Sequence, residues 1–285
     1  MSEPVFADLG ERPVWRVAGP AGMKFLDDVL TADLDGVTTG RGIVAALLTV
    51  KGRIRTIVRV LATGDGAAII ECEPSAATGV EDGLVRIAPL GGTEMQREQR
   101  LLLRYVGDVP SDLSAGENEY DHIERDGAIL VRTRWGGAGV DVLAEPAVVA
   151  AWTGMLSGHA KRVAPADLEP LRIRDARPAF GVDVDDATHV LETPLPDRGG
   201  VAFAKGCYPG QESVAKIRNL GHVRRRMVAL DVAGASPAPG EAVLDATGGE
   251  AGRITSVAGS LALAIVKVEA GALTVGGAPA TILSA

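Results

Sequence analysis

The chain has 285 residues, 46% of them hydrophobic and 23% charged, with a formal net charge of −8. That length suggests two or three lobes rather than one small core. The acidic balance argues against a non-specific nucleic-acid binder, which needs Lys and Arg to neutralise phosphates.

Residues 1–20 carry Asp8, Glu11, Arg12 and Arg16 and no apolar signal-peptide core. No apolar run approaches the roughly 18 residues of a spanning helix. A soluble, cytoplasmic chain is expected. Val14–Val17 reads as a strand, Gly19-Pro20 as a turn and Ala21–Leu30 as a helix, with Met23, Phe25, Leu26, Val29 and Leu30 at helical spacing. Ile43–Val50 and Ile54–Leu61 read as a hairpin around Lys51-Gly52, followed by a strand at Ala67–Cys72. A helical stretch begins at Pro74 and reaches about Ile87.

The next block is strand-rich: Leu101–Val106, Ala128–Arg132 and Val140–Leu143, with a loop over Ser111–Asp121. The glycine-rich turn Arg134–Gly139 is no phosphate loop, because a strand rather than a helix follows it. Ala147–Leu156 reads as a helix. Asp167 is placed to cap a short helix, Leu168–Arg174. Asp183, Asp185 and Asp186 form an acidic cluster without regular calcium-loop spacing. Gly200–Ala204 reads as a strand and Ser213–Arg218 as a helix. From Arg224 onward, four to six short strands at 8–12-residue spacing suggest a small barrel or sandwich.

Between the last two segments lies Lys205-Gly206-Cys207-Tyr208-Pro209-Gly210-Gln211-Glu212. Its glycines and proline break regular structure and leave a thiol in a loop. The nucleophilic form of a cysteine is its thiolate, which a nearby cation stabilises. Lys205 is near in sequence, two positions before the thiol, and a turn would bring the two together. From the residues alone, Cys207 is a reactive thiol or an inert one. Cys72 and Cys207 are the only cysteines. They imply no disulfide framework and cannot alone supply the four ligands of an iron–sulfur cluster or a structural zinc. No intrinsic metal is expected.

The loop resembles the K-G-C-[FY]-x-G-Q-E signature of the YgfZ family of folate-binding proteins, which includes mitochondrial iron–sulfur assembly factors of the CAF type. Every fixed position matches. Other segments are similar to the family as well: Gly19–Asp33 with Phe25-Leu26 and Thr31-Ala32-Asp33, Lys51-Gly52-Arg53, Leu171-Arg172-Ile173 with Pro178, and Gly252 with Ile254-Thr255-Ser256. The family resembles in turn the aminomethyltransferase of the glycine cleavage system. The resemblance implies an α+β, three-lobed fold around a central folate channel, with a small C-terminal β-barrel. The expected division is a folate-binding region over 1–222, in two lobes of roughly 1–95 and 96–222, and a barrel over 223–285.

The resemblance also implies roles. Cys207 is the functional thiol and Lys205 tunes or positions it. Asp183, at the position of the transferases' pterin-holding glutamate, and Glu192 bind tetrahydrofolate. Tyr208, Gln211 and Glu212 are further ligand-contact positions, the last two having helix capping as the alternative role. Gly206 and Gly210 let the loop pass close to a ligand. Arg55 and Thr56 stand where the transferases carry paired aspartates, so aminomethyl transfer is not expected. The leading expectation is a tetrahydrofolate-binding accessory protein for iron–sulfur enzymes, whose partners are those enzymes or their assembly machinery. The alternatives are a folate-dependent one-carbon transferase or demethylase, and a non-enzymatic module binding protein or tRNA through Arg224, Arg225 and Arg226.

Overall fold

In the computed structural model, residues 3–64 and 66–284 are described. The chain forms two compact units. The first comprises Met1–Leu47, Arg55–Asp167 and Gly199–Tyr208, and the second Leu48–Ile54, Leu168–Arg198 and Pro209–Ala285.

The elements of the first unit are β1 (Val5–Ala18), α1 (Gly22–Val29), β2 (Gly42–Leu48), β3 (Ile54–Gly64), β4 (Ala67–Cys72), α2 (Ala77–Val80), β5 (Glu94–Val106), β6 (His122–Arg125), β7 (Ala128–Arg134), β8 (Ala138–Ala144), α3 (Val149–His159) and β9 (Lys161–Arg162). The strands make one nine-stranded sheet in the order β2-β3-β4-β1-β5-β8-β7-β6, with β9 added parallel to β1. Long β1 is the spine, paired antiparallel with both β4 and β5. Its ladder shifts between Asp8 and Glu11, where Gly10 takes a φ of 76° and donates to Asp8 Oδ1.

Neighbouring residues on one strand feed opposite cores. Leu103, Leu130 and Val142 pack with Trp152 and Leu156 of α3, whereas Leu102, Ile129 and Leu143 pack with Val14, Leu61 and Ile69. A sheet buried on both faces explains why its strands read as continuous apolar runs rather than alternation.

Buried charge crosses this sheet. Asp141, fully buried on β8, accepts from Arg104 at 2.7 and 2.8 Å and from Arg59 at 2.8 Å. Arg59 also faces Glu71 at 3.0 Å, and Glu71 pairs with Arg12. The Trp135 ring lies 3.5 Å over the Arg104 guanidinium. The glycine-rich turn therefore delivers a lid for an ion pair. Burial alone would raise the Asp141 pKa. The attraction of Arg104 and then Arg59 wins and holds it below the ordinary carboxylate range.

The second unit contains α4 (Glu169–Arg174), α5 (Gln211–Leu220) and β10 (Arg225–Val232), β11 (Ala242–Leu244), β12 (Glu250–Ala258), β13 (Leu261–Lys267), β14 (Leu273–Val275) and β15 (Ala278–Ser284). The six strands close into a barrel in the order β10-β13-β12-β11-β14-β15. Val228, Leu230, Val243, Ile254, Ala264 and Leu273 fill it. Small inward residues such as Ala262 and Ala264 suit so narrow an interior.

Three local expectations are corrected. Asp167 does not cap α4: its carboxylate accepts from Ala164 N, and the N-cap, Leu168, makes no side-chain cap bond. Gly200–Ala204 is not a strand. Val201 is buried as its apolar character requires, but in place of a strand ladder this stretch bonds to Thr31 (Ala202 N to Thr31 O, 2.7 Å; Thr31 Oγ1 to Gly200 O, 2.5 Å) and to the Tyr208 hydroxyl. Gln211 and Glu212 do not cap α5. Its N-cap is Gly210, in the left-handed region, and both side chains belong to the first turn. No helix of the described residues is long and apolar enough to cross a membrane.

Candidate functional site: the cysteine loop and its two anchors

The first half of the loop belongs to the first unit, and Lys205 is its anchor. The lysine side chain is 3% exposed, an expensive place for an ammonium unless it is fully partnered. Nζ donates to Asp27 Oδ1 at 2.7 Å, Leu30 O at 3.1 Å and Ala32 O at 2.6 Å, and also to Asp27 O. These acceptors sit at the C-terminal end of α1, where orphan carbonyls and the helix dipole favour a cation. Asp27 is buried as well, and its Oδ1 also takes Leu34 N. Lys205 is thus held by α1.

Tyr208 is the other fixed point. It is 5% exposed, its hydroxyl donates to Ala202 O, and burial raises its pKa. Its ring lies 5.8 Å from the Lys205 ammonium. Between the two buried side chains, Cys207 is exposed. Residues i and i+2 of an extended segment would share a face; here the chain bends over residues 203–206, with Lys205 inward and Cys207 outward. Asp27 escaped the sequence reading. Its signal was position, since it falls at helical spacing between Met23 and Leu30 on the apolar face of α1, where a lone carboxylate needs a partner.

The second half of the loop belongs to the second unit. Gly210 has a φ of 86°, and a Cβ there would lie 2.4 Å from Thr49 O. Glycine is required on both counts. Gly206 differs, because a Cβ on it would meet open space. Gly210→Ala is therefore expected to cost about 1–3 kcal/mol, and Gly206→Ala to stay within about 0.5 kcal/mol. Equal urea midpoints for the two variants would contradict this account.

The tip of the β2–β3 hairpin is laced to residues 188–190 by Ile54 N to Thr188 O (3.0 Å) and Val190 N to Gly52 O (3.1 Å). Next to it, Glu192 accepts from His189 N at 3.3 Å and forms a two-pronged pair with Arg225 at 2.9 and 3.1 Å. His189 Nδ1 accepts from Leu191 N, and burial pushes its pKa down, so the ring is a neutral part of this turn.

Asp183 has no exposed side-chain surface. Oδ2 accepts from Arg172 Nη1 at 2.5 Å and Ala179 N at 2.9 Å, and Oδ1 from Thr255 and Ser256 hydroxyls at 2.5 and 2.6 Å. A carboxylate has about four acceptor sites, and four protein donors fill them. The arginine of Leu171-Arg172-Ile173 and the hydroxyls of Thr255-Ser256 thus converge on one acid and tie α4 to β12. Asp183 and Glu192, expected to receive a pterin, are both engaged within the protein. Asp185 is separate from Asp183 in its bonding: it accepts from Thr188 Oγ1 and Ala187 N.

Comparison with known proteins bears on both halves of the loop. The family described as CAF17, C-terminal beta-barrel domain, matches residues 224–284. The mitochondrial iron-sulfur cluster assembly factor IBA57 of Mus musculus is 38% identical over 84 residues, which cover 28% of this chain and 24% of that protein. The tRNA-modifying protein YgfZ of Cronobacter sakazakii is 26% identical over 241 residues, 79% of this chain and 70% of that one. The crystal structure of the glycine cleavage system aminomethyltransferase T from Bartonella henselae superposes with a TM-score of 0.79 at 18% identity, covering 100% of this chain and 86% of that one. Residues 224–284 match the CAF17 C-terminal barrel family, and the chain is similar to YgfZ over most of its length and to IBA57 over 84 residues. Its fold is aminomethyltransferase-like, with a closed C-terminal barrel. The chain spans less than two thirds of the length of the first curated relatives it matches.

Within this YgfZ/CAF17-like chain, the positions aligned by motif to the transferases' paired aspartates carry no acid. Arg55 is exposed, and Thr56 is buried with its hydroxyl donating to Ala76 O at 3.2 Å. Neither side chain can act as a carboxylate base.

Proposed function

We propose that this protein is a cytoplasmic, folate-binding accessory factor for the assembly, repair or maintenance of iron–sulfur enzymes, with Cys207 as its working thiol. The observation that carries the reading is the exposed thiol between two buried, bonded neighbours, Lys205 and Tyr208. Cys72 cannot share the work. Burial, and then Glu71, push its thiol far above the ordinary range and keep it protonated. A single thiolate is one ligand of the four a cluster takes. A cluster would therefore be shared with a client as cargo, the client supplying the remaining ligands.

The names of the relatives support this setting: one is an iron-sulfur cluster assembly factor, the other a tRNA-modifying protein. Tetrahydrofolate is the ligand the family resemblance implies. The carboxylates assigned to it, Asp183 and Glu192, do not fit as free acceptors. A one-carbon transferase keeps the fold but finds no acid at Arg55 or Thr56.

Cys207→Ala is expected to leave unfolding unchanged, because the side chain is exposed and makes no core contact. In cells lacking the protein, the variant should restore iron–sulfur enzyme activity no better than an empty vector. Full restoration would sink the proposal.

A further inference from the structure

Charge in the second unit is distributed unevenly. Between Ser213 and Leu230 there is no acid, and five cations occur: Lys216, Arg218, Arg224, Arg225 and Arg226. In a chain of net charge −8, that is a local reversal. The same stretch borders a cavity of about 410 Å³ between the C-terminal half of α5, the linker to β10 and the turn at 189–192.

The cavity has an apolar floor and a basic rim. Leu191, Ile217 and Val223 supply the floor, and Lys216, Leu220, His222 and Arg224 the rim. Leu220 is 85% exposed, unusual for a leucine at a concave site. The one acid on the lining, Glu192, is neutralised by its two-pronged pair with Arg225. Among the described residues Lys216 and Arg224 form no ion pair, whereas Arg225 beside them does. Two cations and an exposed leucine converge here without partners.

We infer that this cavity docks an acidic peptide segment of a partner protein, one that carries a large apolar side chain. The rim selects the charge, chiefly by raising the association rate, and the floor receives the side chain as the anchor. RNA fits the lining less well. The lining has no Phe, Tyr or Trp ring on which a base could stack, and the acidic remainder of the chain repels a phosphate backbone. The inference is independent of the thiol and of folate, since neither Cys207 nor a folate contact enters it.

The test uses the full chain and a fluorescein-labelled 12-residue peptide of glutamates bearing two leucines four residues apart, followed by anisotropy. Saturable binding is expected at low salt, weakening as salt rises. Leu220→Asp and the double variant Lys216→Glu/Arg224→Glu should each weaken it about tenfold or more. All these positions are exposed, so circular dichroism and the unfolding midpoint should match the parent. An all-glutamate 12-mer that binds equally well would overturn the apolar anchor. So would no binding of the leucine-bearing peptide, or binding that the variants leave unchanged. Tighter binding of a 12-nucleotide single-stranded RNA would overturn the choice of partner, as would sedimentation showing a dimer that Leu220→Asp dissolves.

Discussion

Replacing Asp141 with Asn is expected to destabilise the protein by about 3–5 kcal/mol, the usual cost of removing one partner from a buried ion pair. The residue is fully buried, and the two guanidiniums it receives are only 8% and 5% exposed at their side chains. Asparagine keeps the shape and one acceptor oxygen but no charge. Arg59 would retain Glu71, while Arg104 would keep only the Trp135 face. Asp186→Asn is the control: the residue is exposed and should change stability by no more than about 0.5 kcal/mol. Urea unfolding would measure both, and a loss under about 1 kcal/mol for Asp141→Asn would show that the sheet does not depend on this network.

The same group predicts the pH response. Its folded-state pKa is depressed, so folding stabilises the ionised form. That contribution is complete above the ordinary aspartate value of about 3.9. It is lost as pH falls from there through the lower, folded-state value. The parent should therefore lose stability on acidification more steeply than Asp141→Asn, which has already lost the term.

Replacing Asp183 with Ala is the second large effect expected, about 3 kcal/mol or more. The change removes the acceptor that four donors share: Arg172, Ala179 N, Thr255 and Ser256. Arg172 keeps Glu169 at 2.9 Å, which is why Asp183→Ala should cost less than the complete loss of the arginine's partners. Ser256→Ala removes a single hydroxyl and should cost about 1 kcal/mol. Amide exchange separates this account from a purely local one. Residues 179–184 and 252–257 should lose protection together in Asp183→Ala. Loss confined to one of the two segments would contradict the tie between α4 and β12.

Much of the fold was legible because it rests on periodicity. The α1 helix, the hairpin at Lys51-Gly52, Ala67–Cys72 and Leu273–Val275 follow from apolar spacing and turn residues, within three residues of their observed ends. Short β6 and β9 left no such trace, since two to four residues carry too little pattern to read. Gly200–Ala204 failed for a different reason. An apolar run reports burial, and a buried loop tied to Thr31 is as apolar as a strand.

The cysteine loop divides along the same line. Its residue types and its breaks follow from chemistry local to eight residues. So does the absence of acids at Arg55 and Thr56. What holds the loop does not: Lys205 finds Asp27 across 178 positions, and Arg172 and Ser256, 84 positions apart, meet at Asp183. Each acid was visible as a letter, Asp183 even as a ligand candidate, but a carboxylate reads alike whether its acceptor sites are vacant or filled. Only tertiary structure decides that, because the donors that fill them arrive from distant strands and helices. The sequence determined that a thiol sits in a tight, glycine-broken turn; the packed chain decided that it is exposed and which charges are spent on holding that turn and the barrel in place.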